Sequence, residues 1–151
     1  MTRELPTALL MFISSRYAEA RVYAAITAQG FDDITIAQSR LMMGIDDEGT
    51  RLTVLAERAR VAKQTATALV DKLERAGYVE RVPDPTDGRA RLVRFTPRTV
   101  AALPLARAEE ERIEADWTAH LGERRMRQLR ETLTMLRSLT DPAGSAPDTG
   151  P

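Results

Sequence analysis

The sequence predicts a mainly α-helical fold with one small β-hairpin. Two long segments with apolar residues at helical spacing stand at the two ends of the chain. Between them lie shorter helical segments, followed by two short runs in which apolar and polar residues alternate. A stretch rich in Pro, Gly and Asp separates those two runs, which indicates a turn between paired strands.

The composition is that of one globular domain and excludes several classes of function. The chain has 151 residues, of which 43% are hydrophobic, enough for a core. It has no cysteine, which excludes disulfides and thiolate catalysis. No apolar run reaches the roughly 18 residues that a membrane span needs, and the N-terminus lacks a signal-peptide pattern. We therefore expect a cytoplasmic protein with no membrane partner.

The first half of the chain contains four predicted helices. The first covers residues 5–30 and stops at Gly30, and the second covers residues 35–49 and ends in an acidic turn. After a brief extended stretch at 51–53, Thr53 is expected to cap a short helix. The fourth helix, residues 63–77, presents Ala66, Leu69, Val70 and Leu73 to the interior.

The second half begins with the hairpin and ends in helices. Residues 78–82 and 91–95 are the two expected strands, joined by a projecting loop. Thr96 and Pro97 start a helix that runs to about His120, with a bend expected near Pro104. Another helix follows Gly122, and residues 140–151 are expected to form a disordered tail.

The order helix, turn, helix and hairpin in residues 53–96 is the plan of a winged helix-turn-helix, whose second helix fits the major groove of DNA. We expect residues 35–96 to form the DNA-binding region. The basic charge is concentrated there, since residues 51–98 carry 11 basic against 6 acidic residues. The side chains of the fourth helix that point outward are candidates for DNA contacts: Lys63, Gln64, Thr65, Thr67, Ala68 and Lys72. From this helix alone, a solvated amphipathic helix without special function remains an alternative.

The loop of the hairpin carries the pattern Asp87-x-Arg89. An Asp two residues before an Arg can hold the guanidinium by a bidentate pair and aim it at a narrow minor groove. Arg91 belongs to the same candidate DNA surface. An ordinary surface ion pair between Asp87 and Arg89 is the alternative.

These segments resemble the MarR (multiple antibiotic resistance regulator) family of bacterial transcription factors. The matching pieces are "LA" at 55–56, "LVDKLERAGYVER" at 69–81 and "DPTDGRARLVRFT" at 84–96, with "TIAQSRLMM" upstream. Two positions depart from the family pattern. Gly88 stands where many members have a second Arg, and Arg60 occupies the inter-helix turn where Gly or Asn is comfortable.

The resemblance implies a homodimer in which residues 5–34 and 97–139 form the dimerisation region. It also implies a repressor that binds pseudo-palindromic double-stranded DNA and is released by a small aromatic or anionic effector. Segments that could line an effector site contain Tyr17, Arg21, Arg40 and Met43. The apolar stripes at both ends of the chain fit dimerisation as well as an intramolecular core.

Two other functions were weighed against DNA binding. Asp116 and His120 are one helical turn apart and could form a metal pair, but they have no nearby partners, so we expect no enzyme and no cofactor. A helical dimeric protein-interaction module with a degenerate wing is the stronger alternative. The sequence names neither the operator nor the effector.

Overall fold

The computed structural model describes residues 4–141 as six helices and a three-stranded antiparallel sheet. The helices are α1 (Thr7–Thr27), α2 (Ile36–Met42), α3 (Leu52–Ala59), α4 (Lys63–Arg75), α5 (Pro97–Leu121) and α6 (Glu123–Thr140). The strands are β1 (Thr50–Arg51), β2 (Val79–Asp84) and β3 (Asp87–Phe95). The predicted fold class, a winged helix-turn-helix between terminal helices, is confirmed.

The first two helices are shorter than the sequence predicted. Helix α1 ends at Thr27, and the chain then turns through Gly30, which has a φ of +93°. Helix α2 begins with a capping box, in which Thr35 accepts a hydrogen bond from the amide of Gln38 and the Gln38 side chain accepts one from the amide of Thr35. It ends at Met42, so the acidic turn at 46–49 lies outside it.

The start of α3 corrects the expectation that Thr53 is its N-cap. The helix begins at Leu52 after an extended Arg51, and Thr53 lies inside it. The reason is the pairing of Thr50 and Arg51 with Val93 and Leu92 of β3, which holds the chain extended up to the first helical residue. The sequence predicted this stretch as extended, but not its pairing with the sheet.

The hairpin also differs from its prediction, because its strands are longer and its loop is shorter. Strands β2 and β3 pair from Val79 with Phe95 down to Asp84 with Asp87, with an irregularity between Pro83 and Asp84. Only Pro85 and Thr86 lie between them. The expected projecting loop is therefore wrong: it is a two-residue turn at the end of an extended ribbon.

The winged module has a hydrophobic core of its own. Side chains from α2, α3, α4 and the sheet are buried together, with Tyr78 the largest of them. The core cluster consists of Ile34, Leu41, Ile45, Leu55, Ala56, Ala66, Val70, Leu73, Tyr78, Val79 and Val93. The α4 residues expected to face inward do so, with Leu69 partly buried at the edge of the cluster.

Helices α5 and α6 follow the sheet. The Thr96 hydroxyl accepts a hydrogen bond from the amide of Thr99, and Pro97 occupies the first turn of α5, as predicted. Helix α5 continues through Pro104 and packs against α1, to which it is joined by the pairing of Arg21 with Glu109. Helix α6 extends to Thr140, one residue into the predicted tail, and residues 142–151 lie outside the described residues.

Among the helices described in residues 4–141, none is both long enough and apolar enough to cross a membrane.

Candidate nucleic-acid interface

Helix α4 is fixed by its buried side and leaves its polar side open. Ala66, Val70 and Leu73 are fully buried in the core, which sets the rotation of the helix. Thr67 is partly buried, and its hydroxyl donates a 2.9 Å hydrogen bond to the carbonyl of Lys63. The other candidates on this helix are exposed: Lys63, Gln64, Thr65, Ala68 and Lys72. Five of the six predicted outward residues are thus exposed, and α4 presents donors, acceptors and methyl groups on one surface.

The N-terminal end of α4 favours an anion. Its N-cap, Ala62, has no side-chain acceptor for the first amides, and the first turn contains no acidic residue. Free amides at a helix N-terminus carry partial positive charge, and Lys63 adds a full charge beside them. This end of the helix is therefore electrostatically suited to a phosphate.

Between α3 and α4, Arg60 has the left-handed conformation, with a φ of 55° and a ψ of 43°. It is the C-cap of α3, a position at which Gly or Asn is usual. The strain expected from this departure is present in the backbone. The turn nevertheless closes, since the amide of Val61 donates to the carbonyl of Ala56 at 3.0 Å.

The C-terminal half of α4 is joined to the sheet by Arg81, a contact that the sequence did not predict. Arg81 of β2 donates to Asp71 at 2.6 Å and to Glu74 at 2.5 Å. Because both carboxylates of α4 are paired in this way, they add less negative charge to the exposed side of this helix than the sequence suggests. Arg81 lies ten positions after Asp71 and seven after Glu74, across a turn, and this spacing is not part of any sequence motif.

Strand β3 carries three exposed arginines, of which Arg94 pairs with Glu80, and Arg89 and Arg91 lie nearer the turn of the wing. Arg89 and Arg91 are exposed on β3, and Arg91 donates a 3.2 Å hydrogen bond to the carbonyl of Arg81. Within residues 4–141, the Arg89 guanidinium has no ion pair closer than 4 Å. A guanidinium without an acidic partner in its own chain can meet the phosphates or base edges of another molecule.

The expected pairing of Asp87 with the Arg89 side chain is wrong. Asp87 instead accepts a 3.1 Å hydrogen bond from the backbone amide of Arg89. Its other oxygen lies 3.8 Å from a guanidinium nitrogen of Arg51. Asp87 therefore shapes the start of β3 and does not orient the Arg89 guanidinium.

Asp84 and Arg51 form a second pair that the sequence did not reveal. Asp84 is 6% exposed and accepts hydrogen bonds from the amide and the hydroxyl of Thr86 at 2.8 and 2.7 Å. Arg51 lies 2.7 Å from its other oxygen. The Thr86 hydroxyl, the Thr86 amide and Arg51 together lower the pKa of Asp84 to about 2. The turn of the wing therefore depends on an ionised carboxylate and a residue 33 positions upstream.

Away from this surface, a cavity of about 240 Å³ lies between α1, α5 and the winged module, which contributes α2 to its wall. Its walls are mostly apolar, and Asp47, Arg107 and Glu110 add charge. The apolar lining comprises Val22, Ile26, Phe31, Ile34, Met42, Met43, Ile45, Phe95, Ala102, Leu103 and Ala106, together with the ring of Tyr78. The Tyr78 hydroxyl donates to Asp33, and burial together with that carboxylate raises the pKa of Tyr78 to about 12.

A larger, open groove of about 940 Å³ lies between α1, α5, α6 and the start of the winged module. Of the predicted effector residues, Met43 lines both spaces, and Arg40 lines the groove, where it pairs with the buried Glu19. Tyr17 and Arg21 line neither space. Arg21 instead pairs with Glu109 and Asp116, each at 2.7 Å, and its guanidinium lies over the Tyr17 ring.

Of the two residues considered above as a metal pair, Asp116 accepts the hydrogen bond from Arg21 described above. Over residues 4–141, no three side chains of His, Cys, Asp or Glu are grouped so that they could hold a metal ion.

Comparisons with known proteins agree with this geometry. A model of the MarR family matches residues 32–90, which span α2, α3, α4 and most of the wing. No curated protein matches the sequence.

Three solved structures illustrate the similarity. A structure of MarR is 26% identical, with a TM-score of 0.68 over 89% of this chain and 96% of that chain. The apo form of MarR from Escherichia coli is 21% identical, with a TM-score of 0.66 over 89% of this chain and 98% of that chain. CouR from Rhodococcus jostii RHA1, bound to p-coumaroyl-CoA, is 21% identical, with a TM-score of 0.66 over 89% of this chain and 92% of that chain.

The similarity to the solved structures covers 89% of this chain and so extends beyond the matched residues 32–90. Residues 32–90 are thus similar to the MarR family, and the described chain shares the fold of the solved MarR structures.

Proposed function

We propose that the protein is a homodimeric, sequence-specific DNA-binding regulator. The observation that carries this proposal is the combination of an uncapped N-terminus of α4 with a wing arginine, Arg89, that has no ion pair among residues 4–141, in one basic module. Helix α4 would enter the major groove, while Arg89 would meet the adjacent minor groove, where the potential is most negative. No step of this function requires a cofactor or a catalytic residue.

On α4, the individual roles follow from chemistry. Gln64 can pair with an adenine edge, and the methyl groups of Thr65 and Ala68 can meet a thymine methyl. Lys63 and Lys72 would bind phosphates and fix the register of the helix on the duplex. On the wing, Arg91 would add a further phosphate contact.

Dimerisation is supported by exposed apolar side chains on the terminal helices. Residues 9–13 of α1 are five consecutive apolar residues, more than one helical turn, so one chain can cover only part of them. Phe12 is 58% exposed, and Met135 and Leu139 of α6 are each 78% exposed. An exposed apolar surface of this kind is typical of a protein interface.

In a two-fold dimer of this kind, residues 5–34 and 97–139 would form the dimerisation region and each copy would present one module, residues 35–96. The operator would then be pseudo-palindromic, with half-sites about 10 bp apart.

We further propose that the protein acts as a repressor that a small effector releases from DNA. The apolar cavity is supported as the effector site by its place between the winged module and the terminal helices, and by Phe31 and Tyr78 in its wall. CouR is bound to p-coumaroyl-CoA, an aromatic and anionic molecule. For this chain the chemistry favours an aromatic compound, with Arg107 near its acidic group and Met43 at the cavity wall.

A gel-shift titration tests DNA binding. The wild-type protein selects duplexes from a random pool, and the selected duplex is then titrated with wild type, Arg89→Ala and Arg112→Ala. We expect Arg89→Ala to lose about 1–3 kcal/mol of binding free energy, because it removes a groove contact. Arg112, an exposed arginine of α5 paired with Glu109, is the matched control and should bind as wild type does.

Two results would refute parts of the proposal. If Arg89→Ala binds the duplex as tightly as wild type, the wing has no role in recognition. If the wild-type protein selects no duplex, the chain is better described as a dimeric interaction module with a degenerate wing. Repeating the shift with a panel of small aromatic acids tests the effector, since an effector should release the bound duplex.

A further inference from the structure

The wing contains a feature that opposes DNA binding. Asp84 and Asp87 lie on either side of its two-residue turn, on the hairpin that should approach phosphates. Carboxylates at such a position repel the duplex unless a cation in the same protein compensates them. The hairpin has arginines of its own, but a wing arginine that pairs with these carboxylates is no longer free for DNA.

The compensating cation comes from outside the hairpin. Arg51 lies on β1, which pairs with the middle of β3. Its Nε and one terminal nitrogen lie 2.8 and 2.7 Å from the same oxygen of Asp84, and that terminal nitrogen is 3.8 Å from Asp87. One guanidinium thus faces both carboxylates of the wing.

Strand geometry gives the consequence for Arg89. Asp87 and Arg89 are two positions apart on β3, so their side chains lie on the same face of the strand. In the absence of Arg51, Arg89 is the guanidinium best placed to compensate Asp87. Such a pair would hold Arg89 against its own wing and remove it from the surface offered to DNA.

We propose that Arg51 is a positioning residue for the wing: it compensates Asp84 and Asp87 and thereby keeps the Arg89 guanidinium free to bind DNA. This inference rests on the proposed DNA-binding function. It assigns Arg51 an effect on affinity that operates through Asp87 and Arg89 rather than through a contact of Arg51 with the duplex.

A double-mutant cycle tests the inference. Fluorescence anisotropy titrations with the duplex selected by the wild-type protein compare wild type, Arg51→Gln, Asp87→Asn and the double variant. We expect Arg51→Gln to weaken binding about tenfold or more. Asp87→Asn should improve affinity at least fivefold more in the Arg51→Gln background than in the wild-type background, because it removes the carboxylate that captures Arg89.

Further variants separate positioning from a structural role. In the Arg51→Gln background, Arg89→Ala should cost several times less than in wild type, since Arg89 is already withdrawn from the duplex. Thermal unfolding of each variant checks that the fold is kept. If Arg51→Gln unfolds, Arg51→Lys replaces it in the cycle, because lysine keeps the charge but cannot reach both carboxylates with one planar group.

Three outcomes would overturn the inference. Equal effects of Asp87→Asn in both backgrounds would show that Arg51 acts by its own contact with DNA or by holding the turn. Wild-type affinity of Arg51→Gln would show that Arg51 has no role. A wild-type protein that selects no duplex would remove the proposed function and this inference together, and that result is read from the wild type alone.

Discussion

The winged module and the terminal helices differ in how they accommodate large apolar side chains. The module buries a continuous cluster, in which Leu41, Leu55 and Leu73 are inaccessible to solvent. Within α1, α5 and α6 over the described residues, Ile113 and Met126 are the buried hydrophobic residues, whereas Phe12, Met135 and Leu139 are exposed. The module therefore has its own core, whereas the terminal helices lack enough contacts within one chain to bury their apolar side chains.

The two regions also differ in net charge, since residues 51–98 carry 11 basic against 6 acidic residues, whereas residues 99–151 carry 7 against 9. In the terminal helices, Arg21 and Arg130 are paired with acidic residues of α5. On the module, the side chains of Lys63 and Arg89 have no ion pair among the described residues. Each region therefore leaves a different kind of surface incomplete. The helices leave an apolar surface suited to a second copy, and the module leaves a cationic surface suited to a polyanion.

The largest expected effect concerns the apolar surface. Leu10→Asp places a charge in the proposed interface, and two-fold symmetry places it there twice. We expect dimerisation to weaken by about 3 kcal/mol or more, because a buried unpaired carboxylate is costly. Sedimentation equilibrium measures the change. Ala62→Asp, which adds the same charge at an exposed residue of the winged module, is the control and should remain dimeric. A wild-type monomer, or a Leu10→Asp dimer, would contradict the comparison.

A second prediction separates the two kinds of apolar residue by stability. In the monomeric Leu10→Asp background, Leu73→Ala should cost about 2–5 kcal/mol of unfolding free energy, because it creates a cavity in the core. Leu136→Ala should cost less than about 0.5 kcal/mol there, because the residue is exposed in one chain. In the dimeric wild-type background, Leu136→Ala should cost more. Urea unfolding provides the test. It compares wild type with Leu136→Ala, and Leu10→Asp with its two double variants. An equal cost of Leu136→Ala in both backgrounds would argue against burial of Leu136 in a dimer.

The smallest effect concerns the pH dependence of the wing. The pKa of Asp84 in the folded protein, about 2, lies below that of an ordinary aspartate, so its ionised form stabilises the turn. That contribution is fully present above the unfolded pKa of about 4 and is lost as the pH falls through about 2. The NMR signal of the Thr86 amide should therefore keep its position down to about pH 4 and shift below it. Asp84→Asn should abolish this shift, and a shift centred at the ordinary pKa would contradict the assigned contacts.

Much of the fold was predictable because it depends on local patterns. The apolar spacing of residues 66–73 fixed which side of α4 is buried, and Thr96 with Pro97 marked the start of α5. The wing sequence at 84–96 identified the hairpin and its exposed arginines. These features depend on periodicity, capping and turn composition, all of which lie within a few residues of one another.

The errors arose where distant parts of the chain meet. Thr53 was expected to be the cap because the pairing of β1 with β3 has no local signal, and that pairing moved the helix start to Leu52. Asp87 was assigned to Arg89 because the two are close in sequence, whereas the structure brings Arg51 to the wing from 33 positions before Asp84. Likewise, Arg21 was a candidate for an effector, but Glu109 and Asp116 of α5 are its partners.

The salt dependence of binding to the selected duplex tests DNA recognition by the basic module most directly. Phosphate contacts release counterions, so a dimer that presents two such modules should lose about 10³-fold in affinity between about 50 and 200 mM salt. Arg112→Ala should follow the wild-type curve, whereas Arg89→Ala should bind more weakly throughout. An affinity that does not change over this range would contradict DNA binding through the surface of α4 and the wing.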